Sequence, residues 1–503
     1  MSAPLFRRVL VANRGEIAVR IIRACHALGI PTTVVHSTAD RDTMPVRLAE
    51  EAWCIGPPEA RESYLNVEKI LEVAKLSGCD AVHPGYGFLA ENANFARRAG
   101  ELGVTFVGPN PDAITAMGDK INSRRKMIDA GVPVVPGVES PRFTEAELRA
   151  AAKDIGYPVM LKATAGGGGK GIRIVESEAG LWDAYTRSVS EAEKAFGDGV
   201  VYVEKAVQGP HHVEFQVFGD RHGNVVHMFE RECSVQRRHQ KVVEETPSPF
   251  VTPALRDEMA TAAVEAARAI GYDNAGTVEF LVDRDRRFYF LEMNTRLQVE
   301  HPVTEMVLGR DLVAEQLRVA AGQPLSFRQE DLVPQGHAIE VRICAEDPEN
   351  NFVPALGRVK AMTAPSGPGI RVDSALFSGL EVTLHYDSML AKLIAWGEDR
   401  PAAIARLKQA LGEFKIAGLK TNIPFLGGIV RDPRFVAGDY DTSFLAEYAP
   451  PEIRADLLQA AMAAAVLFKH TRGASARRAM EGNRSGGMDP WKAYGRNKGV
   501  RRT

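Results

Sequence analysis

The sequence predicts an α/β protein of several domains, with a Rossmann-like, doubly wound sheet at the N-terminal end and a mixed α+β region towards the C-terminal end. Three observations predict it. The chain opens as strand, turn, helix and strand, the start of a doubly wound sheet. A loop of five glycines in six residues, Gly166 to Gly171, joins two further strands. An aromatic strand, Phe288 to Leu291, runs on into a series of polar residues at every second position. At 503 residues the chain is too long for one core, and two to four domains are expected.

The elements follow in order. Arg8 to Ala12 is a short apolar strand, and Asn13-Arg14-Gly15 is a turn. Glu16 to Leu28 has helical spacing through Ile17, Ile21, Ala24 and Leu28, and Gly29 stops the helix. Thr32 to His36 is the next strand. The first turn has one glycine where a dinucleotide fingerprint needs three, so no dinucleotide is expected. Asp40 could imitate a ribose-binding acid, but the preferred reading is a solvated loop aspartate. His83-Pro84-Gly85-Tyr86-Gly87-Phe88 closes the strand Ala81 to Val82, either facing a ligand crevice or making a tight turn.

Thr144-Glu145-Ala146-Glu147 is a capping box for a helix to about Ile155. Pro158 to Lys162 is a strand, and another runs through Val175 after the glycine loop. The loop amides could wrap a phosphate, yet it is no Walker A loop, because Gly171 replaces Ser or Thr and a strand follows. A mobile lid reconciles flexibility with phosphate binding. Lys120 and Lys162 flank it in sequence. Val201 to Lys205 is strand-like, and His212, Glu214 and Gln216 alternate with Val213, Phe215 and Val217 on the next strand. Cys233 to Lys241 is a polar, basic run, either a solvated face or an anion site. Gln335 to Ala395 is a mixed β segment containing Ala338 to Ile343, and Arg400 to Leu411 is a helix.

From Glu292 to Glu300, two carboxylates, two amides and a guanidinium (Glu292, Asn294, Arg296, Gln298, Glu300) would share one face if the chain stays extended. A solvated edge strand is the plainer reading, ranked second because the strand begins so apolar. Thr277 to Val282 is its expected hairpin partner, and a turn centred between Asp285 and Arg286 would put Glu279 opposite Glu292. Opposed like charges destabilise a sheet, and a divalent cation would reverse the sign. The oxygen-only donors suit Mg2+ held partly through phosphates, with Arg296 beside it as an anion's partner.

Composition narrows the classes. A net charge of −2 gives no case for general nucleic-acid binding. Cys25, Cys54, Cys79, Cys233 and Cys344 lack paired spacing, which points to free thiols in a reducing compartment. No apolar run is long enough to span a membrane, and structure starts too early for a signal peptide, so a cytoplasmic location is expected.

Together these stretches resemble biotin carboxylase, of the ATP-grasp superfamily, from about Val9 to Tyr448. The resemblance rests on Val11 to Ala18, His83 to Leu89, the glycine loop, Gln236 to Lys241 and Glu292 to His301, in this order and spacing. It implies a Rossmann-like domain over 1–115, an ATP-grasp domain over 116–334 with a lid at about 135–205, and a C-terminal domain over 335–448. It also implies residue roles. Lys120 and Lys162 would hold ATP phosphates under Gly168 and Gly169. Glu204, Lys205, Ala206 and Val207 would form the adenine-side hinge. His212, Gln236 and His239 would line the nucleotide site. Glu279 and Glu292 would bind Mg2+ (or Mn2+) with help from Asn294. Lys241, Arg296, Gln298 and Val299 would hold bicarbonate, Glu300 would be the base, and Arg342 would face biotin.

The implied reaction is MgATP-dependent carboxylation of biotin through carboxyphosphate. A biotinylated lysine follows methionine in this family, and the chain has no Met-Lys pair, so biotin would arrive on a separate carrier. A carboxyltransferase would be the further partner, and a homodimer is implied. Another ATP-grasp ligase, a carrier-bearing carboxylase and a regulatory chain with a dead site are the rival readings.

The resemblance ends before the tail. Pro451 to Thr503 holds eleven Lys or Arg against four Asp or Glu, a net +7 against −9 for the rest. Ile453 to Lys469 is an expected helix with an apolar stripe, and Trp491 and Tyr494 lie among basic residues beyond it. The expectation is that the segment from Gly473 docks on the carrier or transferase.

Overall fold

The computed structural model describes residues 4–138, 140, 142–163, 172–196, 199–450, 459–460 and 462–468. The chain divides into two units, Met1–Tyr448 and Ala449–Thr503. Gly168 and Gly169 of the glycine loop, and the tail from Gly473, lie outside the described residues.

The first unit opens on a parallel sheet of β1 (Val9–Val11), β2 (Thr32–Ser37), β3 (Glu51–Gly56), β4 (Ala81–His83) and β5 (Thr105–Phe106), in the order β3-β2-β1-β4-β5. The helix Gly15–Ala27 packs Ile17, Ile21, Ile22 and Cys25 against it, following the predicted spacing. This is the doubly wound sheet expected from the opening residues. Asp40 is buried, not solvated. Its carboxylate accepts from Arg14 Nε at 2.8 Å and Nη2 at 2.9 Å, and from the Tyr64 hydroxyl at 2.7 Å. An ion pair this well matched removes the reason to leave the acid in water.

A second sheet holds β6 (Gly137–Val138), β7 (Val159–Ala163), β8 (Ile172–Val175) and β9 (Val201–Lys205), in the order β6-β9-β7-β8. The helix Glu145–Ile155 precedes β7 and carries the predicted capping box on Thr144 and Glu147.

The third sheet is antiparallel and has eight strands. They are β10 (His211–Gly219), β11 (Val225–Arg237), β12 (Gln240–Thr246), β13 (Asn274–Val282), β14 (Phe288–Asn294), β15 (His337–Cys344), β16 (Ile370–Ser374) and β17 (Met389–Gly397), in the order β14-β13-β10-β11-β12-β15-β17-β16. Its apolar faces form two cores, one around Phe215, Val278, Phe280 and Met293, the other around Ile339, Val341, Leu393 and Leu407. Every residue of β10 is buried, so its alternation separates an apolar face from a buried polar one.

Three expectations for the hairpin need correction. β14 does lie at the sheet edge, the reading ranked second. Its apolar start is explained by a strap along that edge: the Phe290 amide donates to the Pro133 carbonyl at 2.7 Å, and Val134 bridges Phe290 in parallel. The hairpin is centred on Asp285, since Val282 pairs Phe288 and Leu281 pairs Tyr289; a register shift between Glu279 and Phe280 then restores the predicted pairing of Glu279 with Glu292. Finally, the strand ends at Asn294, and a turn over Thr295–Glu300 leads into the helix His301–Leu308. Leu297 enters the core of the first domain, which an extended chain would not allow.

In the second unit, residues 459–460 and 462–468 are helical, and Met462 and Val466 are exposed.

Candidate active site

The polar face of β10 to β14 gathers the charges. His212 and Glu214 come from β10, Gln236 from β11, Lys241 from β12 and Glu279 from β13. Asn294 and the turn to Glu300 come from β14, and Arg342 from β15. Strand alternation aims them at one side while Val213, Phe215 and Val278 pack on the other.

Lys241 is the hub. Its ammonium donates to Glu214, to Glu279 Oε1 at 3.0 Å and to Glu300 Oε1 at 2.6 Å. Glu279 Oε1 also accepts from Asn294 Nδ2 at 2.9 Å and Gln298 Nε2 at 3.1 Å. Its other oxygen lies 2.9 Å from His212 Nε2, and His212 Nδ1 meets Gln236 Nε2 at 2.5 Å. Arg296 reaches Asn294 Oδ1 and Gln298 Oε1, each at 2.9 Å, and Glu91 Oε2 at 2.8 Å. Arg342 spans Glu244 Oε1 at 2.7 Å and Glu300 Oε2 at 3.0 Å. Beside it a cleft is lined by Arg237, Lys241, Arg342, Cys344, Phe352 and Phe425.

The electrostatics follow from burial set against pairing. Burial opposes the charged form of Glu300, but Lys241, Arg342 and Arg231 outweigh it and hold the carboxyl well below its usual range. Burial likewise opposes charge on Glu279, and Lys241 with His212 overcomes it. Lys241 is pushed well above the usual lysine value, because Glu214, Glu279 and Glu300 outweigh its desolvation. His212 is raised too: burial lowers it, and Glu279 more than compensates. Glu244 is pushed up to about 7 by burial, despite Arg342.

Other predicted residues lie differently. Lys162 pairs with Glu204 between β7 and β9. Lys205 donates to the Gly156 and Tyr157 carbonyls, each at 2.9 Å; Ala206 is buried and Val207 half-buried. Lys120 opens the helix Lys120–Asp129, its side chain outside the described residues. His239 is exposed at the tip between β11 and β12, with a φ of +64°, and the hydrogen bonds of the cluster do not include it. Val299 is half-buried in the turn, and Glu292 is exposed on β14.

Sequence reasoning left out Glu91, Arg231, Glu214 and Glu244 as site residues. Arg231 is fully buried and donates to Glu214 Oε1 at 2.6 Å, Gln216 at 2.9 Å, Thr304 at 3.0 Å and Thr277 at 3.1 Å. Glu214 was within reach, being two residues from His212 on the same strand face. Glu91 carried no such signal. It ends the loop after His83, so that loop both makes a tight turn and anchors Arg296.

A divalent cation fits this donor set. Glu279 and Glu292 are paired on adjacent strands and offer carboxylate oxygens, and Asn294, whose Nδ2 donates to Glu279 and whose Oδ1 accepts from Arg296, lies beside Glu279. The ligand atoms of His212, Glu214 and Glu279 also lie within 4.8 Å of one another.

Known proteins share this arrangement of domains. The biotin carboxylase N-terminal domain matches residues 5–114, the ATP-binding domain of the carbamoyl-phosphate synthase L chain matches 119–328, and the biotin carboxylase C-terminal domain matches 340–447. Biotin carboxylase 1 of Bacillus subtilis (strain 168) is 53% identical over 445 residues, covering 88% of this chain and 99% of that protein. The biotin carboxylase of Haemophilus influenzae is 51% identical over 442 residues, covering 88% and 98%. Among solved structures, the biotin carboxylase domain dimer of Hydrogenobacter thermophilus 2-oxoglutarate carboxylase, in complex with MgADP, ADP and bicarbonate, has a TM-score of 0.82 at 48% identity, covering 88% and 99%. With an ATP-binding domain between the two biotin carboxylase domains and half of all aligned residues identical, the chain belongs to the biotin carboxylase family.

Proposed function

We infer that the chain catalyses MgATP-dependent carboxylation of biotin by bicarbonate, the first half-reaction of a biotin-dependent carboxylase. One observation carries the reading: the buried Glu300 carboxylate is gripped by Lys241 on one oxygen and Arg342 on the other, and Lys241 also holds the Glu279 carboxylate. A proton acceptor, an anion pocket and a nucleotide–metal face meet there.

In this reading Arg296, Lys241, Gln298 and Val299 hold bicarbonate against Glu300. Lys241, Arg342 and Arg231 favour the ionised form of Glu300, and the same cations make it a weak base. A second anion between Lys241 and Arg296 divides their attention and raises its proton affinity. The deprotonated bicarbonate then attacks the γ-phosphate of ATP, giving carboxyphosphate and ADP. Lys120 and Lys162 offset the phosphoryl charge, with Gly168 and Gly169 over it. Bound Mg2+, held by Glu279, Glu292 and Asn294, supplies Lewis-acid neutralisation of phosphate charge. Glu204 to Val207 seat the adenine, with His212, Gln236 and His239 along the nucleotide. Carboxyphosphate yields CO2 and phosphate. Phosphate takes the ureido proton of biotin, Arg342 stabilises the enolate, and the nitrogen captures CO2. The cleft beside Arg342 is the entrance for biotin.

The residues given hold no Met-Lys pair, which supports a carrier that presents biotin to this site, and a carboxyltransferase would pass the carboxyl group to the final acceptor. A homodimer agrees with the dimeric relative named above. Five free cysteines suit the cytoplasm, and among the described residues no helix is long and apolar enough to cross a membrane. The basic tail from Gly473 is the proposed docking arm. The test is phosphate release from ATP. The expected result is dependence on both bicarbonate and free biotin; release that ignores bicarbonate would refute the reading.

A further inference from the structure

Lys392 occupies the middle of β17, within the apolar run Met389-Leu390-Ala391-Lys392-Leu393-Ile394, and is fully buried. Lysine is almost never fully buried without a partner. Its Nζ donates to the Val299 carbonyl at 2.8 Å and lies 3.4 Å from Glu16 Oε1 and 5.9 Å from the centre of the Tyr86 ring. Its strand neighbours are Arg342 on β15 and Asp373 on β16.

Two details give this contact meaning. In the turn before the helix His301–Leu308, the Gln298 carbonyl contacts His301 Nδ1 at 2.8 Å, and the Glu300 carbonyl accepts from the Val303 amide at 3.3 Å. The Val299 carbonyl lies between them and takes its hydrogen bond from Lys392 instead. A buried carbonyl needs such a donor. In addition, both oxygens of Glu16 and both of Glu340 are buried without a hydrogen bond. Lys392 is the cation nearest Glu16, and its charge favours the ionised forms of both acids.

We propose that Lys392 is a positioning residue for the anion pocket: its ammonium pins the Val299 carbonyl, which fixes Gln298, Val299 and Glu300 in the geometry that holds bicarbonate. The proposal rests on the bicarbonate reading of that pocket. Glu16 lies beside the ammonium, the charge of Glu340 acts on it as well, and Asp373 is its partner on β16. Without Lys392 the Val299 carbonyl loses this hydrogen bond, while Lys241 and Glu279 keep their contact with each other. The loss therefore falls on bicarbonate and spares the nucleotide.

Lys392→Met removes both the donor and the charge at nearly constant volume. In bicarbonate-dependent ATP cleavage by the full chain, the KM for bicarbonate should rise about tenfold or more, while the KM for ATP stays within about twofold. The variant also leaves Glu16 without its cation and is expected to melt earlier. Glu16→Gln with Lys392→Met removes both charges, so melting should recover while the bicarbonate KM stays high. A recovered bicarbonate KM in the double variant would show a merely charge-balancing role and overturn the proposal. So would an unchanged bicarbonate KM in either variant, with the wild type still bicarbonate-dependent. A wild type that ignores bicarbonate would instead overturn the functional reading beneath it.

Discussion

Glu300 has a cation on each oxygen, and removing either leaves a different deficit. Arg342→Ala strips Glu244 and Glu300 of one partner and removes the group assigned to the biotin enolate, yet Lys241 still holds Glu300. Biotin carboxylation should fall at least about a hundredfold and bicarbonate-dependent ATP cleavage only about tenfold. Equal losses would move Arg342 to the nucleotide step. Glu16 allows a second prediction. Burial pushes its carboxyl up to about 7, with Lys392 partly opposing the shift. A carboxyl raised in the folded state contributes stability below its unfolded value, and loses it as pH rises through the folded one. The wild type should thus lose up to about 3 kcal/mol between roughly pH 4.5 and 7 on account of this group. Glu16→Gln cannot titrate, so its advantage in urea unfolding should grow from pH 5 to pH 8. Parallel curves would mean that Glu16 is ionised in the fold. Residues like these differ in legibility. Glu279 and Glu292 were readable because a hairpin is local. Glu91, Glu244 and Lys392 depend on strands far apart in sequence, although a lone lysine in the apolar run of β17 was a readable anomaly.

The loop after β4 shows how an element can serve the site from outside it. Asn13 Nδ2 donates to the Pro84 carbonyl at 2.6 Å and the Tyr86 carbonyl at 2.7 Å, tying the loop to the first turn. Gly85 has a φ of +65°, and a Cβ there would lie 3.0 Å from Ile17 and 3.1 Å from Asn13; Gly87 has a φ of +69° but open space. Gly85→Ala should therefore cost about 2–3 kcal/mol and Gly87→Ala about 1 kcal/mol. Thermal melts compare them, and equal losses would show that backbone conformation alone decides. The glycines were legible as a turn, but the anchoring of Arg296 through Glu91 was not, since it spans 205 residues. The hairpin carries the same lesson in reverse. Its cross-strand pair was foreseen, while the bulge beside Glu279 and the end of the strand at Asn294 were not. Alternation of side chains predicts a face only while the backbone stays extended, and Leu297, drawn into the first domain's core, ends that extension.

The first unit is stitched together by contacts distant in sequence. Arg14 stacks over the Tyr386 ring at 4.0 Å, and the Tyr386 hydroxyl donates to the Pro58 carbonyl and meets the Ser37 hydroxyl, each at 2.7 Å. Asp40, Tyr64 and Phe88 complete this seam, with Tyr64 and Phe88 stacked at 4.9 Å. The order of the elements announced the doubly wound and mixed sheets, but not this seam, which no local pattern encodes. The tail poses the opposite problem, with a charge that is plain in the sequence. Deleting residues from Gly473 should leave carboxylation of free biotin within about twofold and weaken co-elution with the carrier or transferase, more so at high salt. An undiminished complex on size-exclusion chromatography would refute the docking arm. The strap at the edge of β14 has a mechanical consequence. Pro133 and Val134 bond to Phe290, two residues before Glu292; three residues on, the Pro136 carbonyl accepts from the Lys205 amide at 2.8 Å, and Gly137 pairs with Glu204. One short, doubly fastened tether thus joins the strand bearing Glu292 to the sheet bearing Lys162. A displacement of that sheet would therefore be felt through residues 133–136 at Phe290, two residues from the carboxylate proposed to hold the nucleotide's metal.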